Sequence, residues 1–420
     1  MAKIKDSLPD EVIREIRAIG KADILIGIPS YNNAGTIGHV VRAVSIGLAK
    51  YFPHERAVIV NADGGSTDGT ADVVRNAGIE DIESILLENP ANNVRKIITA
   101  YRGISGKGSA FRTIFTIAKE LSVKASAVVD SDLRSITPEW VELLIDPIYH
   151  RGYDFVAPLY LRHKFDATIT NNIVFPLTRA LYGKRIRQPI GGDFGFSDRL
   201  TESYLSHKVW YSDISKFGID IWMTTNALTN GFKVCQSYLG AKIHNSKDPG
   251  ADLSQMLTQV LGVVFCLMEV YREKWWDVRT SEPIQEFGFK FEVGLKPIEV
   301  DIERMVKSFK KGFGALGQMW EKVLSPQAFS EIESIVAGAE YRFTFPIDLW
   351  VKIVYDYALS YHRRVLARKR LLKSFVPLYY GRTAAFILEN LNSSPFEVEE
   401  KLEQLCISFE QQKDYLLKNW

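Results

Sequence analysis

Cysteine is scarce in this chain: Cys235, Cys266 and Cys406 are the only three in 420 residues, and no two form a C-x-x-C pair. That spacing excludes a disulfide framework and a zinc site, and leaves buried thiols as the expectation. An excess of charge is also missing. Lys and Arg number 52 against 50 Asp and Glu, a net charge of +2, without the basic excess or stripe of a dedicated nucleic-acid binder. Long hydrophobic runs are lacking too. The greasiest run, Met256 to Tyr271, falls short of the roughly 20 apolar residues that span a bilayer, and it carries Thr258, Gln259 and Glu269. A buried helix, not a membrane span, is expected there. The opening MAKIKDSLPDEVIREI has no apolar core of a secretory signal, so the expected location is cytoplasmic. There is no internal repeat and no low-complexity tract.

What is present is an ordinary globular composition, 46% hydrophobic and 24% charged. The length exceeds what one core usually organises, so two domains are expected, divided softly as 1–254 and 255–420. Val12, Ile13, Ile16 and Ile19 share one helical face. Ile24 to Ile28 reads as a strand ended by Pro29. Ile37, Val40, Val41, Val44 and Leu48 mark a helix begun by Thr36. Ala57 to Val60 is a second strand, the turn-rich NADGGSTDGT follows, and a helix starts near Thr70. Ile85 to Leu87 reads as a third strand. Gly106-Lys107-Gly108 opens a helix to about Leu121, and Ala125 to Val129 is a further strand. Alternating strands and helices define an α/β domain with a mostly parallel sheet. Ligands bind such sheets at the carboxyl ends of the strands. The pattern therefore nominates one pocket, built from loops 29–35, 61–69, 105–108 and 130–134. Beyond residue 255 the chain turns mainly helical. In Ile347 to Leu359, Asp348, Lys352 and Asp356 form a polar line at i, i+4 and i+8, read as a wet stripe.

Chemistry concentrates where the strands end. Asp130 and Asp132 flank Ser131, and residues i and i+2 leaving a strand point the same way. Two like charges that close are costly unless a cation sits between them. Hard oxygen ligands suit Mg²⁺ or Mn²⁺, which commonly bridge substrate phosphates. The plainer alternative is an acidic helix cap. In NADGGSTDGT, Asp63 is placed to accept from a base N–H, or simply to cap the next helix. In SGKGSAFR, Gly106 and Gly108 allow close backbone approach at a helix start, where anions bind, and Lys107 adds a cation. The stretch is neither G-x-x-x-x-G-K-[ST] nor G-x-G-x-x-G.

IPSYNNAGTI, NADGGSTDGT, GKGSAFRT and VVDSDL, in that order, resemble the nucleotide-sugar half of a GT-A glycosyltransferase (Rossmann-like, mostly parallel sheet). LYLRHKFDATITNN, QPIGGDFGFS, FGIDIWMTTNALTNGFKV and GAKIHNSKDPGADL narrow the resemblance to retaining synthases that glucosylate or mannosylate glycerate or 3-phosphoglycerate. The likeness runs over roughly residues 22–365 and includes FPIDLWVKIVYDYALSYH in the helical tail. It implies a metal, Mg²⁺ or Mn²⁺, on Asp130, Asp132 and His244. It implies nucleotide-sugar contacts at Pro29, Tyr31, Asn33, Asp63, Lys107, Ser131, Gly191 and Gly192, with a GDP- or UDP-hexose as donor. The usual form of the first motif ends in Asn-Glu; Asn32-Asn33 lacks that carboxylate, which leaves the base open. Arg162 and Thr170 would hold the carboxylate of a small acceptor, for which an Arg fork is suited. Asp220 would stand near the acceptor and the anomeric carbon, with Asp193 as the second catalytic candidate. Two other readings stay open: an inverting family-2-type transferase acting on a polysaccharide or lipid, and a catalytically inactive sugar-binding protein. The tail's Trp275, Trp276, Trp320 and Trp350 fit either closure of the acceptor pocket or a homodimer interface.

Overall fold

The computed structural model describes residues 8–77, 94–101, 106–211, 214, 218–243, 253–290, 298, 300–338 and 343–420. The expected strand at Ile85 to Leu87 and the metal candidate His244 lie outside the described residues.

The chain divides into two compact units. The first comprises Met1–Leu161, Ile190–Asn245 and Ile284–Gly294; the second comprises Arg162–Pro189, Ser246–Pro283 and Leu295–Trp420. Among the described residues the first unit is built on an eight-stranded sheet: β1 (Ile24–Ser30), β2 (Ala57–Asp63), β3 (Arg95–Ala100), β4 (Ala125–Val128), β5 (Phe155–Leu161), β6 (Phe194–Ser197), β7 (Val234–Ala241) and β8 (Gln285–Phe287). Their spatial order is β3-β2-β1-β4-β6-β5-β7-β8. Every pairing is parallel except those of β6, which runs antiparallel to both β4 and β5. This is the GT-A type of α/β sheet that the motifs imply.

Continuous apolar runs explain the central strands. Every residue of β1 and of β2 is buried, as expected of parallel strands covered on both faces. The strand β1 does not stop at Pro29; it continues through Ser30. The physical reason lies in the register. Pairing with β4 ends at Gly27↔Val128, whereas pairing with β2 continues to Ser30↔Asp63. Pro29 thus sits where one side of the strand is already unpaired, and its missing N–H costs no ladder bond. One core cluster joins Ile26, Val40, Val44, Ile59, Val129, Trp140 and Leu144.

The second unit is mainly helical. It contains Phe175–Tyr182, Ser254–Val270, Ile302–Val323, Pro326–Ala337, Ile347–Arg363, Arg368–Asn390 and Pro395–Gln411. Among the described residues no helix is long and apolar enough to cross a membrane; Ser254–Val270 instead buries Leu257, Val260, Leu261, Val264, Phe265 and Met268. The polar line in Ile347–Arg363 is not a wet stripe throughout. Asp356 is buried, because its carboxylate accepts from the Ser325 amide at 2.8 Å and from the Tyr415 hydroxyl. Trp275, Trp320 and Trp350 are fully buried and serve this unit's core; Trp350 packs on Phe345 and Phe375.

Candidate functional site

The loops following β1, β2 and β4 are tied to one another before any ligand is considered. The Asp63 carboxylate closes the turn after β2. Its Oδ1 accepts from the Ser30 hydroxyl at 2.8 Å and the Ser66 hydroxyl at 2.6 Å. Its Oδ2 accepts from the amides of Gly65 at 2.9 Å and Ser66 at 2.7 Å. Asn33 precedes the helix Ala34–Tyr51, and its side-chain oxygen accepts from the Tyr31 amide at 3.1 Å and the Ser131 hydroxyl at 2.8 Å. Thr36 donates to the Ser131 carbonyl at 2.8 Å. Pro29 is buried in β1, while Tyr31 is 62% exposed beside these loops.

A cluster of ions lies below. Lys107, the first residue of the helix Lys107–Glu120, places its Nζ 2.7 Å from Asp130 Oδ1, 3.3 Å from the Gly192 carbonyl and 3.4 Å from Asp220 Oδ2. Lys242, just past β7, reaches Asp130 Oδ2 at 2.8 Å, Asp193 Oδ2 at 2.7 Å and the Gly191 carbonyl at 2.8 Å. Asp193 is fully buried. Its Oδ1 accepts from the Asp130 amide at 2.7 Å, and its Oδ2 also accepts from the Tyr160 hydroxyl. Gly192 turns with φ +90°, and a Cβ there would lie 2.4 Å from Asp130 Oδ2. Only glycine combines that dihedral with so close an approach.

The electrostatics follow from this packing. Burial opposes ionisation of Asp130, but the two ammonium groups overcome it and hold the carboxyl far below the usual range. Burial would likewise lower Lys107, yet the charges of Asp130 and Asp220 raise it. Burial pushes Asp193 up against the pull of Lys242, and pushes Asp220 up against that of Lys107. Asp220 opens the helix Ile219–Thr229; its Oδ1 is buried with no hydrogen-bond partner among the described residues. Such an atom is costly unless something else satisfies it.

The structure therefore gathers Lys107, Asp130, Gly191, Gly192, Asp193 and Asp220 in one cluster, with Ser131, Asn33 and Asp63 in the connected loops. Asp132 follows Ser131, and its carboxylate makes no hydrogen bond or ion pair among the described residues. Among those residues no trio of His, Cys, Asp or Glu forms a metal-holding group. Both Asp130 oxygens face ammonium groups, whereas the Asp132 carboxylate has no such partner among the described residues. A hard carboxylate of this kind fits Mg²⁺ or Mn²⁺. Arg162 and Thr170 belong to the second unit. There Arg162 pairs with Asp166 at 3.1 Å, and Thr170 begins a π-helical turn, Thr170–Val174, in which it is buried.

Lys242 and Tyr160 are the residues that motif reading passes over. A signal for Lys242 was available: it precedes His244 by two in GAKIH, and residues i and i+2 of an extended segment share a side. Tyr160 sits in an apolar strand, and nothing in its neighbours marks it.

This sheet, with an acidic doublet after β4 and a lysine-led helix opposite it, defines the class: a GT-A glycosyltransferase. The family described as mannosylglycerate synthase, GT domain, matches residues 34–266, over half of the chain, and the protein belongs to that family. No curated protein sequence matches the chain. Among solved structures, it is similar to glucosyl-3-phosphoglycerate synthase from Mycobacterium tuberculosis in complex with Mn²⁺, UDP and phosphoglyceric acid. That match has 21% identity, a TM-score of 0.44, and covers 60% of this chain and 81% of the other. The same enzyme with Mg²⁺ and UDP matches at 20% identity and a TM-score of 0.44, covering 62% and 83%. With Mn²⁺, UDP-glucose and glycerol 3-phosphate it matches at 20% and 0.43, covering 62% and 84%.

Proposed function

We propose that the protein is a retaining hexosyltransferase. It moves glucose or mannose from a GDP- or UDP-hexose to a small acidic acceptor such as glycerate or 3-phosphoglycerate, in the cytoplasm. The single observation that carries this reading is Lys107 held between Asp130 and Asp220 at the carboxyl ends of the strands, within a chain of this family.

In the reaction the acceptor hydroxyl oxygen bonds to the anomeric carbon as the bond from that carbon to the diphosphate oxygen breaks. The hydroxyl proton leaves with the diphosphate. Attack on the face the diphosphate vacates gives net retention, and the activated leaving group needs no general acid. Lys107 is the cation that meets the negative charge building on the diphosphate. Asp220 is the anion that faces the sugar ring or orients the acceptor. Asp193 supports the site by holding the Asp130 amide. A divalent ion, Mg²⁺ or Mn²⁺, would be held by Asp132 with His244, beside Asp130, and would neutralise the diphosphate as a Lewis acid. Pro29, Tyr31, Asn33, Asp63 and Ser131 are assigned to the nucleotide, Gly191 and Gly192 to the sugar. Arg162 and Thr170 are assigned to the acceptor carboxylate on the family resemblance. We assign donor and acceptor chemistry to residues 1–254.

The test is a matrix of GDP- and UDP-hexoses against glycerate, 3-phosphoglycerate, neutral polyols, a polysaccharide and a lipid acceptor, with Mg²⁺ or Mn²⁺. The anomeric configuration of the product is read by NMR. An α-linked product from an α-linked donor is expected. An inverted linkage, or turnover only with a polysaccharide or lipid acceptor, refutes the reading.

A further inference from the structure

We infer that Lys242 is a positioning residue: a fixed internal cation that holds Asp130 and the Gly191–Gly192 turn in place. It thereby leaves Lys107 as the lysine of the cluster that can exchange its partners for an incoming anion. The inference rests on the donor-binding reading above and adds to it a division of labour between two lysines that occupy the same cluster.

Three observations separate them. An ammonium group has three N–H bonds. Those of Lys242 go to Asp130 Oδ2, Asp193 Oδ2 and the Gly191 carbonyl at 2.8, 2.7 and 2.8 Å. Those of Lys107 include one short bond, 2.7 Å to Asp130 Oδ1, and two long ones, 3.3 Å to Gly192 and 3.4 Å to Asp220. Long, poorly engaged bonds are the cheaper ones to give up. Second, the Lys242 side chain is 4% exposed and that of Lys107 22%, so an anion arriving from solvent meets Lys107. Third, Lys242 is walled in: its Nζ lies 4.9 Å from the centre of the Tyr160 ring, and the Tyr160 hydroxyl donates to Asp193 on the same side.

The charges explain why such a residue is needed. Asp130, Asp193 and Asp220 are three carboxylates sharing the cluster with two lysines. Without Lys242, Lys107 would be the cation left to Asp130, Asp193 and Asp220 together, and it would be drawn more tightly to Asp130. Lys242 does not need to touch the substrate to matter; it acts through Asp130.

That indirect action gives the test. Lys242→Met is compared with the wild type and with Lys242→Met/Asp130→Asn against Asp130→Asn, by calorimetric titration of UDP and GDP. Lys242→Met should weaken nucleotide binding by about tenfold in the wild-type background and by less than about threefold in the Asp130→Asn background, because the interacting pair is coupled. Equal losses in both backgrounds would mean direct contact with the nucleotide, and no loss in either would mean an idle clamp; each overturns the inference. Lys242→Arg keeps the charge but replaces a compact three-donor group with a planar fork. It serves if the Met variant does not fold, with a smaller loss that Asp130→Asn again removes. The same cycle is run on the urea midpoint without nucleotide. If neither UDP nor GDP binds the wild type, the donor reading fails, and the midpoints still decide the clamp. A midpoint shift on Lys242→Met that Asp130→Asn reduces supports it, and an undiminished shift refutes it.

Discussion

Lys242 Nζ lies 2.7 Å from Asp193 Oδ2, and both side chains are buried. The Asp193 carboxylate is engaged on every side, by the Asp130 amide, the Tyr160 hydroxyl and this ammonium. Asp220 differs, since one of its oxygens has no partner among the described residues. Under the proposed reading, that Asp220 oxygen is the acceptor a substrate hydroxyl would meet.

Replacing Asp220 by Asn should therefore lower kcat by about 10²–10³-fold, as loss of a preorganised charge does, with KM for the nucleotide sugar changed little. Steady-state kinetics with both substrates varied measures this. A loss confined to KM would assign Asp220 to ground-state binding alone.

Asp132→Ala and His244→Ala should each remove metal-dependent turnover, by about 10²-fold or more, with far-UV circular dichroism unchanged. Mn²⁺ binding followed by electron paramagnetic resonance in the presence of UDP or GDP gives a second readout. Full activity in either variant would count against that residue as a ligand.

Gly192→Ala should cost about 1–2 kcal/mol for a side chain at positive φ. It should cost more in activity, because the new Cβ would press on Asp130 at 2.4 Å and lie 3.2 Å from Lys107 Nζ. Urea unfolding and kinetics on the same sample separate the two effects. Unchanged activity would show that the turn has room to give.

A pH prediction concerns the second unit. Lys413 donates to the carbonyls of Ala180, Trp275 and Val278 at 2.8, 2.7 and 2.8 Å. Burial, with Arg279 nearby, nevertheless holds its pKa down to about 7 from 10.5. Between those values the unfolded chain carries a proton the folded chain has released, so this group's contribution to stability rises with pH over about 7 to 10.5. Below that window its penalty is fully present. The difference in urea midpoint between wild type and Lys413→Met should move in favour of the wild type as pH rises from 7 to 10. A constant difference would show that the carbonyls keep Lys413 charged.

Much of this site could be read in the chain because its loops follow strands whose apolar runs are unbroken. β1, β2 and β4 announce themselves, and so does the polar residue at each exit. Pro29 was harder, since a proline usually ends a strand; only the register shows that one side is already free there. β3 is half exposed, and its sequence RKIITA has no clean alternation to mark it. Asp356 read as solvated because a helical wheel sees its own helix and not Ser325 or Tyr415. Lys242 escaped notice for a related reason: a lysine beside an apolar strand looks like surface until the carboxylates around it are known. The assignment of Arg162–Pro189 to the helical unit depends on packing across distant segments, which local pattern does not encode.

The stitch from Asn33 to Ser131, with Thr36 anchoring the same residue from behind, joins the first loop to the acidic doublet through short polar bonds. Both anchors meet at Ser131, the residue between Asp130 and Asp132. Moving the first loop would therefore break hydrogen bonds made by the residue at the centre of the doublet.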